Sequence, residues 1–273
     1  MLSLHTNAAA LSAQNSIGGT QKSLSTSMSR LSTGLRVNSA MDDAAGLQIA
    51  TRLNAQTRGQ AVAMRNTQNG ISMLQTAEGA LNETTNILLR MKDLATEAAS
   101  DTASPADRTA MGKELSALNA ELTNIFSNTS FGGRTLFTGA DALAATTTFQ
   151  IGASTAETMT LAGLTIPTAF SVAAVAVTDH TTANALIGTL QTQIDTLGAF
   201  RSELGAVANR LEHTYNNLAN MSTNTEAARG RIMDVDYASE TAQMTKQQML
   251  LQAGTSMLKQ SGSMSQLVMS LMQ

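Results

Sequence analysis

Cysteine and tryptophan are missing from this 273-residue chain, aromatic side chains make up 3% of it, and proline occurs twice. The lack of cysteine excludes a disulfide framework and suits a chain that works outside the cell, although a cytosolic chain can share it. Few rings mean few large side chains to fill a globular centre, and alanine inflates the apolar fraction of 42%. Elongated helical packing is the natural outlet for such a composition.

An excess of positive charge is missing too. With 17 Lys and Arg against 20 Asp and Glu the formal net charge is −3, so no basic field draws in nucleic acid or anionic lipid. No run approaches the roughly 20 apolar residues of a membrane span. The opening stretch MLSLHTNAAALSAQNSIGGTQK holds no basic residue before Lys22 and so lacks the positive start of a Sec signal peptide.

Chemistry is equally thin. His5, His180 and His213 fall on different elements, without a metal-ligand spacing such as HExxH. Asp42 with Asp43, and Asp234 with Asp236, could serve as acid/base or metal pairs, but at helix starts such pairs are usually dipole-facing surface charges. The stretches GASTAETMTLAG and GISMLQTAEGALN reproduce neither a phosphate loop nor GxGxxG, and no GxSxG elbow presents a serine nucleophile. No enzyme activity, cofactor or metal site is expected. Three Asn-x-Ser/Thr triplets, at Asn82, Asn128 and Asn220, arise readily in a chain this rich in those residues.

What the sequence does carry is helical periodicity. Leu4, Leu11, Ile17, Leu24, Met28, Leu31 and Leu35 follow helical spacings with one slip at Gly18 and Gly19. In STGLRVNSAMDDAAG, Gly34 can end that helix, Asn38 or Ser39 can cap the next, and Asp42 and Asp43 face its positive end. A second helix follows from Leu47 to Ala98. Ser104, Pro105 and Asp107 signal the start of a third, which stops at Phe131–Gly133. Residues 138–180 turn rich in threonine and valine and are punctuated by glycine and Pro167, which predicts short strands in hairpins lying against the helices. Leu190, Leu197, Leu204, Leu211 and Leu218 then recur every seven residues, predicting a long coiled-coil-like helix broken at Gly230. Most of the 16 methionines fall on or beside heptad columns, where they read as core filler rather than soft-metal ligands.

The tail LLQAGTSMLKQSGSMSQLVMSLMQ begins at Leu250 and carries one charge, Lys259. Leu250, Met257, Met264 and Leu271 form one column, and Leu251, Leu258 and Met272 form another. Burial against one partner helix falls short of the conformational entropy of ordering the segment. The tail is therefore expected to be disordered in a lone chain and to become helical once the N-terminal stripe and further copies cover it. Non-closing contacts between identical subunits build a helical filament.

The stretches RLSTGLRVNSAMDDAAGLQIATRL and NGISMLQTAEGALNETTNIL strongly resemble the N-terminal part of bacterial flagellin, and RIMDVDYASETAQMTKQQMLLQAGTSML resembles its C-terminal segment. The resemblance covers residues 1–138 and 182–273, in that order. It implies a mainly α fold, an elongated coiled-coil-like helical bundle with paired terminal helices and a small β-hairpin insert. Residues 1–38 and 237–273 would form the inner, filament-core domain, polymerising through Leu4, Leu11, Leu24, Leu31, Leu251, Leu258, Leu267 and Leu271. Residues 39–137 and 181–236 would form an outer helical domain with 138–180 packed on it, and Asn38, Asp42, Asp43, Asp234 and Asp236 would lie in a connecting spoke.

The implied function is that of a structural subunit of the extracellular flagellar filament, a helical tube used as a propeller. Implied partners are further copies of the chain, a flagellar export chaperone on the C-terminal helix, the type III export apparatus, and the filament cap and hook-junction proteins. A Toll-like receptor of animal immunity would read a patch matched here by Arg90, Leu94 and Glu114. Two other readings stay open, a hook–filament junction protein and a cytoplasmic coiled-coil signalling module.

Overall fold

The computed structural model describes residues 7–138, 143, 147–161 and 177–271, with side chains as far as residue 263. The described residues form helices α1 (Ala8–Thr33), α2 (Ala44–Ala98), α3 (Pro105–Asn128), α4 (His180–Met233) and α5 (Tyr237–Leu271), with strands β1 (Ser130–Phe131), β2 (Arg134–Thr135), β3 (Thr147–Gln150) and β4 (Thr158–Leu161). The fold is mainly α, with two small antiparallel hairpins, β1–β2 and β3–β4. Two units divide the chain, Met1–Gln56 with Asn224–Gln273, and Thr57–Thr223.

In the unit Thr57–Thr223 the heptad leucines do what their spacing predicts. Leu190, Leu197, Leu204, Leu211 and Leu218 are all buried, and all but the last join one core with Leu74, Leu81, Leu88 and Met91 of α2 and Leu115 and Leu122 of α3. Scarce rings are concentrated rather than scattered: Phe137 lies with its centroid 4.9 Å from that of Phe126 and 6.5 Å from that of Phe200. At the start of α3 the Ser104 hydroxyl accepts from the Asp107 amide while the Asp107 carboxylate accepts from the Ser104 amide, a reciprocal cap with Pro105 at the first helical position.

The stretch after α3, expected only to stop the helix, folds back as β1–β2. Gly132 and Gly133 both take positive φ, 60° and 83°, the pair of values that a tight turn of matching twist requires. The second hairpin lies on α2 where that helix has no side chains. A β-carbon on Gly59 would sit 2.5 Å from Cβ of Ala153, and one on Gly70 would sit 3.0 Å from the Phe149 ring. Nδ2 of Asn66, between the two glycines, donates to the Gln150 carbonyl oxygen at 3.4 Å.

In the other unit α1 runs antiparallel to α5. Asn7 lies beside Ser261, Ile17 beside Gly254, and Arg30 beside Glu240. Four local expectations change. Helix α1 passes through Gly18 and Gly19 without a break, because both face open space where a missing side chain costs no packing. Helix α4 passes through Gly230, and its end comes after Met233, where the Asp234 amide closes the last turn on the Gly230 carbonyl oxygen. Asn38 and Ser39 do not cap α2. Asp43 does, its carboxylate accepting the Gly46 amide at 2.8 Å. Finally, α5 is helical to Leu271 rather than disordered, with α1 as a first partner from Tyr237 to Ser261.

Candidate functional site

The pairing face of the terminal helices mixes small and polar residues with aliphatic ones. On α1 the inward positions are Ala10, Ala13, Ile17, Thr20, Leu24, Ser27 and Leu31, and on α5 they are Met244, Gln247, Leu251, Gly254, Leu258 and Ser261, all at least half-buried and spaced by three and four. The most deeply buried of these are Ser27 and Gln247, not a leucine. Such a seam brings backbones close, as at Gly254, where an added β-carbon would lie 2.9 Å from Ile17.

A second set of large apolar side chains on the same two helices points away from the seam. Leu11, Met28, Met249, Leu250 and Met257 are exposed, Met257 to 69%. The two columns of the tail therefore separate: Leu251 and Leu258 face α1, and Leu250 and Met257 face out. Of the residues expected to polymerise, Leu24 and Leu31 share the seam with Leu251 and Leu258, whereas Leu11 is outward. Leu4 lies outside the described residues, and so do the side chains of Leu267 and Leu271. The outward set was hidden in the sequence because two columns one residue apart look alike until a partner chooses between them.

Between the helices of this unit, the joint is a short two-stranded crossing. The Arg36 amide donates to the Met233 carbonyl oxygen at 2.6 Å, the Val235 amide donates to that of Gly34 at 3.0 Å, and Leu35 bridges Asp234. The Arg36 guanidinium adds a bond to the Ile232 carbonyl oxygen at 2.7 Å. Val37 is buried beneath the crossing. Asp42 gathers the Asn38 and Ser39 amides and the Ser39 hydroxyl, and these bonds, the Ser39 amide foremost, hold its carboxyl below the ordinary value. The Asn38 side chain donates to Thr33 Oγ1 at 2.9 Å. Asp236 accepts from the Ala238 amide at the head of α5, while Asp234 belongs to the crossing itself. All five residues expected in a connecting spoke thus lie at this crossing or in the turns that flank it, and Arg36 and Tyr237 join them without having been singled out in the sequence.

On Thr57–Thr223 the residues matched to an immune-receptor patch part company. Arg90 and Glu114 form an exposed ion pair between α2 and α3, Nε and Nη2 donating to one carboxylate oxygen at 3.0 and 2.8 Å. The contact pushes the guanidinium further up. Leu94 is 3% exposed and belongs to the core; Leu89 is the exposed leucine of this stretch.

No helix among the described residues is long and apolar enough to cross a membrane. Two family models match the chain in order, the bacterial flagellin N-terminal helical region over residues 4–142 and the bacterial flagellin C-terminal helical region over residues 185–272. The chain belongs to the bacterial flagellin family. It is 39% identical to a flagellin of Halalkalibacterium halodurans over 97% of this chain and 98% of that one. It is 38% identical, over the same shares, to the flagellar filament 33 kDa core protein of Treponema phagedenis. A solved Vibrio parahaemolyticus chain assigned to the hook-associated proteins shares 17% identity at a TM-score of 0.51, over 71% of this chain and 97% of that one, which speaks for a common fold alone. As a flagellin-family chain with near-complete filament relatives, it is a structural subunit of the bacterial flagellar filament, an extracellular assembly, and its family is structural rather than enzymatic.

Proposed function

We propose that this flagellin-family chain polymerises through the terminal pair α1–α5, whose outward columns are covered by the same helices of neighbouring copies in the filament core. The observation that carries the reading is the exposure of Leu11, Met28, Met249, Leu250 and Met257 on two helices that already pair through a separate seam. A helix pair that leaves large apolar side chains in water gains further stability when another surface removes them from it, at about 25 cal/mol per Å². In this scheme residues 1–38 and 237–273 are the inner domain, 39–137 and 181–236 the outer domain, and 138–180 its β insert. The crossing of Leu35 and Asp234 serves as the connecting spoke.

An α5 that is stabilised by partners suits export in an unfolded state through the type III apparatus, with a chaperone shielding Leu250 to Gln273 until assembly. The filament cap and the hook-junction proteins would meet the same terminal helices. An immune receptor that docks on the outer domain would contact the Arg90–Glu114 pair and Leu89, with Leu94 holding the helix in place from the core. Against the junction-protein and signalling-module readings stands the near-complete match to filament relatives. The test is Leu250→Glu with Met257→Glu, which puts charge on the outward column and leaves the seam intact. Sedimentation after seeding should find the variant in the supernatant with its helical signal retained, and pelleting at the wild-type level would reject this surface as the interface.

A further inference from the structure

Methionine is distributed unevenly between the two units. Met73, Met91, Met111 and Met159 are buried, Met91 completely, and all four lie in Thr57–Thr223. On the terminal helices Met28, Met249 and Met257 are instead 55%, 59% and 69% exposed. The expectation that methionines fill cores therefore holds for these four and fails on the terminal helices, while Met41, between α1 and α2, and Met221 on α4 are exposed away from the terminal helix faces. An exposed thioether is open to hydroperoxides, whereas a core thioether is shielded. Met28, Met249 and Met257 lie, with Leu11 and Leu250, on the two helices whose outward faces the filament reading covers with further copies of this chain.

We propose that Met28, Met249 and Met257 form an oxidation site through which hydrogen peroxide blocks assembly of the free subunit and spares the finished filament. This rests on the α1–α5 interface reading given above. The methionine sulfur attacks one peroxide oxygen, the O–O bond breaks as the S–O bond forms, and the departing hydroxide takes up the proton to leave as water. Sulfur loses two electrons and the peroxide gains two. The sulfoxide is polar and can only accept hydrogen bonds. Covered by a second copy, the sulfoxide must give up water that the thioether never held, and its removal from solvent carries the cost of a desolvated acceptor. In the filament the same sulfurs are covered, so assembly protects them.

The test treats depolymerised full-length subunits and intact filaments with hydrogen peroxide, maps sulfoxides residue by residue by peptide mass spectrometry, and then measures seeded polymerisation. Met28, Met249 and Met257 should oxidise in the subunit while Met73, Met91, Met111 and Met159 do not, with a rise in critical concentration of about tenfold or more. A Met28→Leu, Met249→Leu, Met257→Leu variant keeps the apolar area and should assemble equally well before and after peroxide, and methionine sulfoxide reductases should restore the treated wild type. Normal assembly of subunits oxidised at the three positions, or peroxide sensitivity that survives in the leucine variant, would overturn the inference. Equal oxidation of Met249 and Met257 in subunits and filaments would overturn the interface reading itself as well as the protection drawn from it.

Discussion

The phenol oxygen of Tyr237 occupies the space beside Gly34, 2.8 Å from where a β-carbon on that glycine would sit. Gly34 ends α1 in the left-handed region at φ 72°, and Tyr237 is the first residue of α5. One residue thus turns the chain out of one terminal helix while its empty side admits the head of the other. Gly34→Ala meets both obstacles, a disfavoured φ and a steric overlap with the tyrosine. Loss of stability by about 1–2 kcal/mol is expected from the backbone conformation alone, read as a lowered thermal midpoint, and Tyr237→Phe in the same background should recover part of it by removing the overlapping oxygen.

Gln247 presents the opposite situation, a position where a larger apolar group would improve the local fit. Its side chain is buried in the α1–α5 seam and its Oε1 has no hydrogen-bond partner among the described residues. A buried polar residue with an unpaired atom in a coiled-coil seam can fix register at a cost in stability. Gln247→Leu should stabilise the pair by about 1 kcal/mol and loosen its register. A cystine engineered as Asn7→Cys with Ser261→Cys, positions in direct contact, reports the second effect. Cross-linking should be efficient with Gln247 in place and drop once Gln247→Leu is added, and an unchanged yield would show that the register is set elsewhere.

In the other unit the leucine column is the support. Leu204 is buried among the core leucines of Thr57–Thr223. Leu204→Ala should cost about 2–5 kcal/mol, and Leu204→Asp should cost more, since it adds a buried charge with no counter-ion. Urea denaturation followed by circular dichroism measures both, and a wild-type midpoint for the aspartate variant would show that the column is not core.

Three aspartates tie stability to pH in one direction. The carboxyls of Asp42, Asp107 and Asp179 all lie below their ordinary value of 3.8: Asp42 through the Ser39 and Asn38 amides, Asp107 through the Ser104 hydroxyl and amide, and Asp179 through the Thr182 amide and hydroxyl. Because the folded chain favours the ionised form, their contribution is present above the unfolded value and is lost as pH falls through the lower folded values. The thermal midpoint should hold between neutral pH and about 5, then drop toward pH 3. Ser104→Ala with Thr182→Ala takes the hydroxyls from two of these anchors while leaving their amides, and should make the acid limb shallower; an unchanged limb would assign acid sensitivity to the amides or to other groups.

Much of this was legible in residue spacing. The leucines at 190 to 218 and the Ser104–Pro105–Asp107 start announce themselves locally, because heptad burial and helix capping depend on residues a turn or two apart. The crossing of Leu35 with Asp234 was not legible in the same way, since its hydrogen bonds join segments about 200 positions apart and involve backbone rather than side chains. Glycine misled in three places for one reason. Gly18, Gly19 and Gly230 look like breaks, yet a single glycine costs a helix only about 1 kcal/mol, and the neighbouring helical positions outweigh it. The seating of β3–β4 on Gly59 and Gly70 needs the same residue type for its missing side chain, which becomes visible only when the partner is in place. The two tail columns show the remaining limit: periodicity locates apolar stripes, and only α1 determines which one faces outward.

The claim that matters most is that the outward face of the terminal helices is what joins one copy to the next. Its most direct test is seeded assembly of a chain lacking Leu250 to Gln273, followed by electron microscopy and sedimentation. Removal of that segment should abolish filaments while the leucine-column unit keeps its cooperative melting transition. Filaments of wild-type length from the truncated chain would contradict the account.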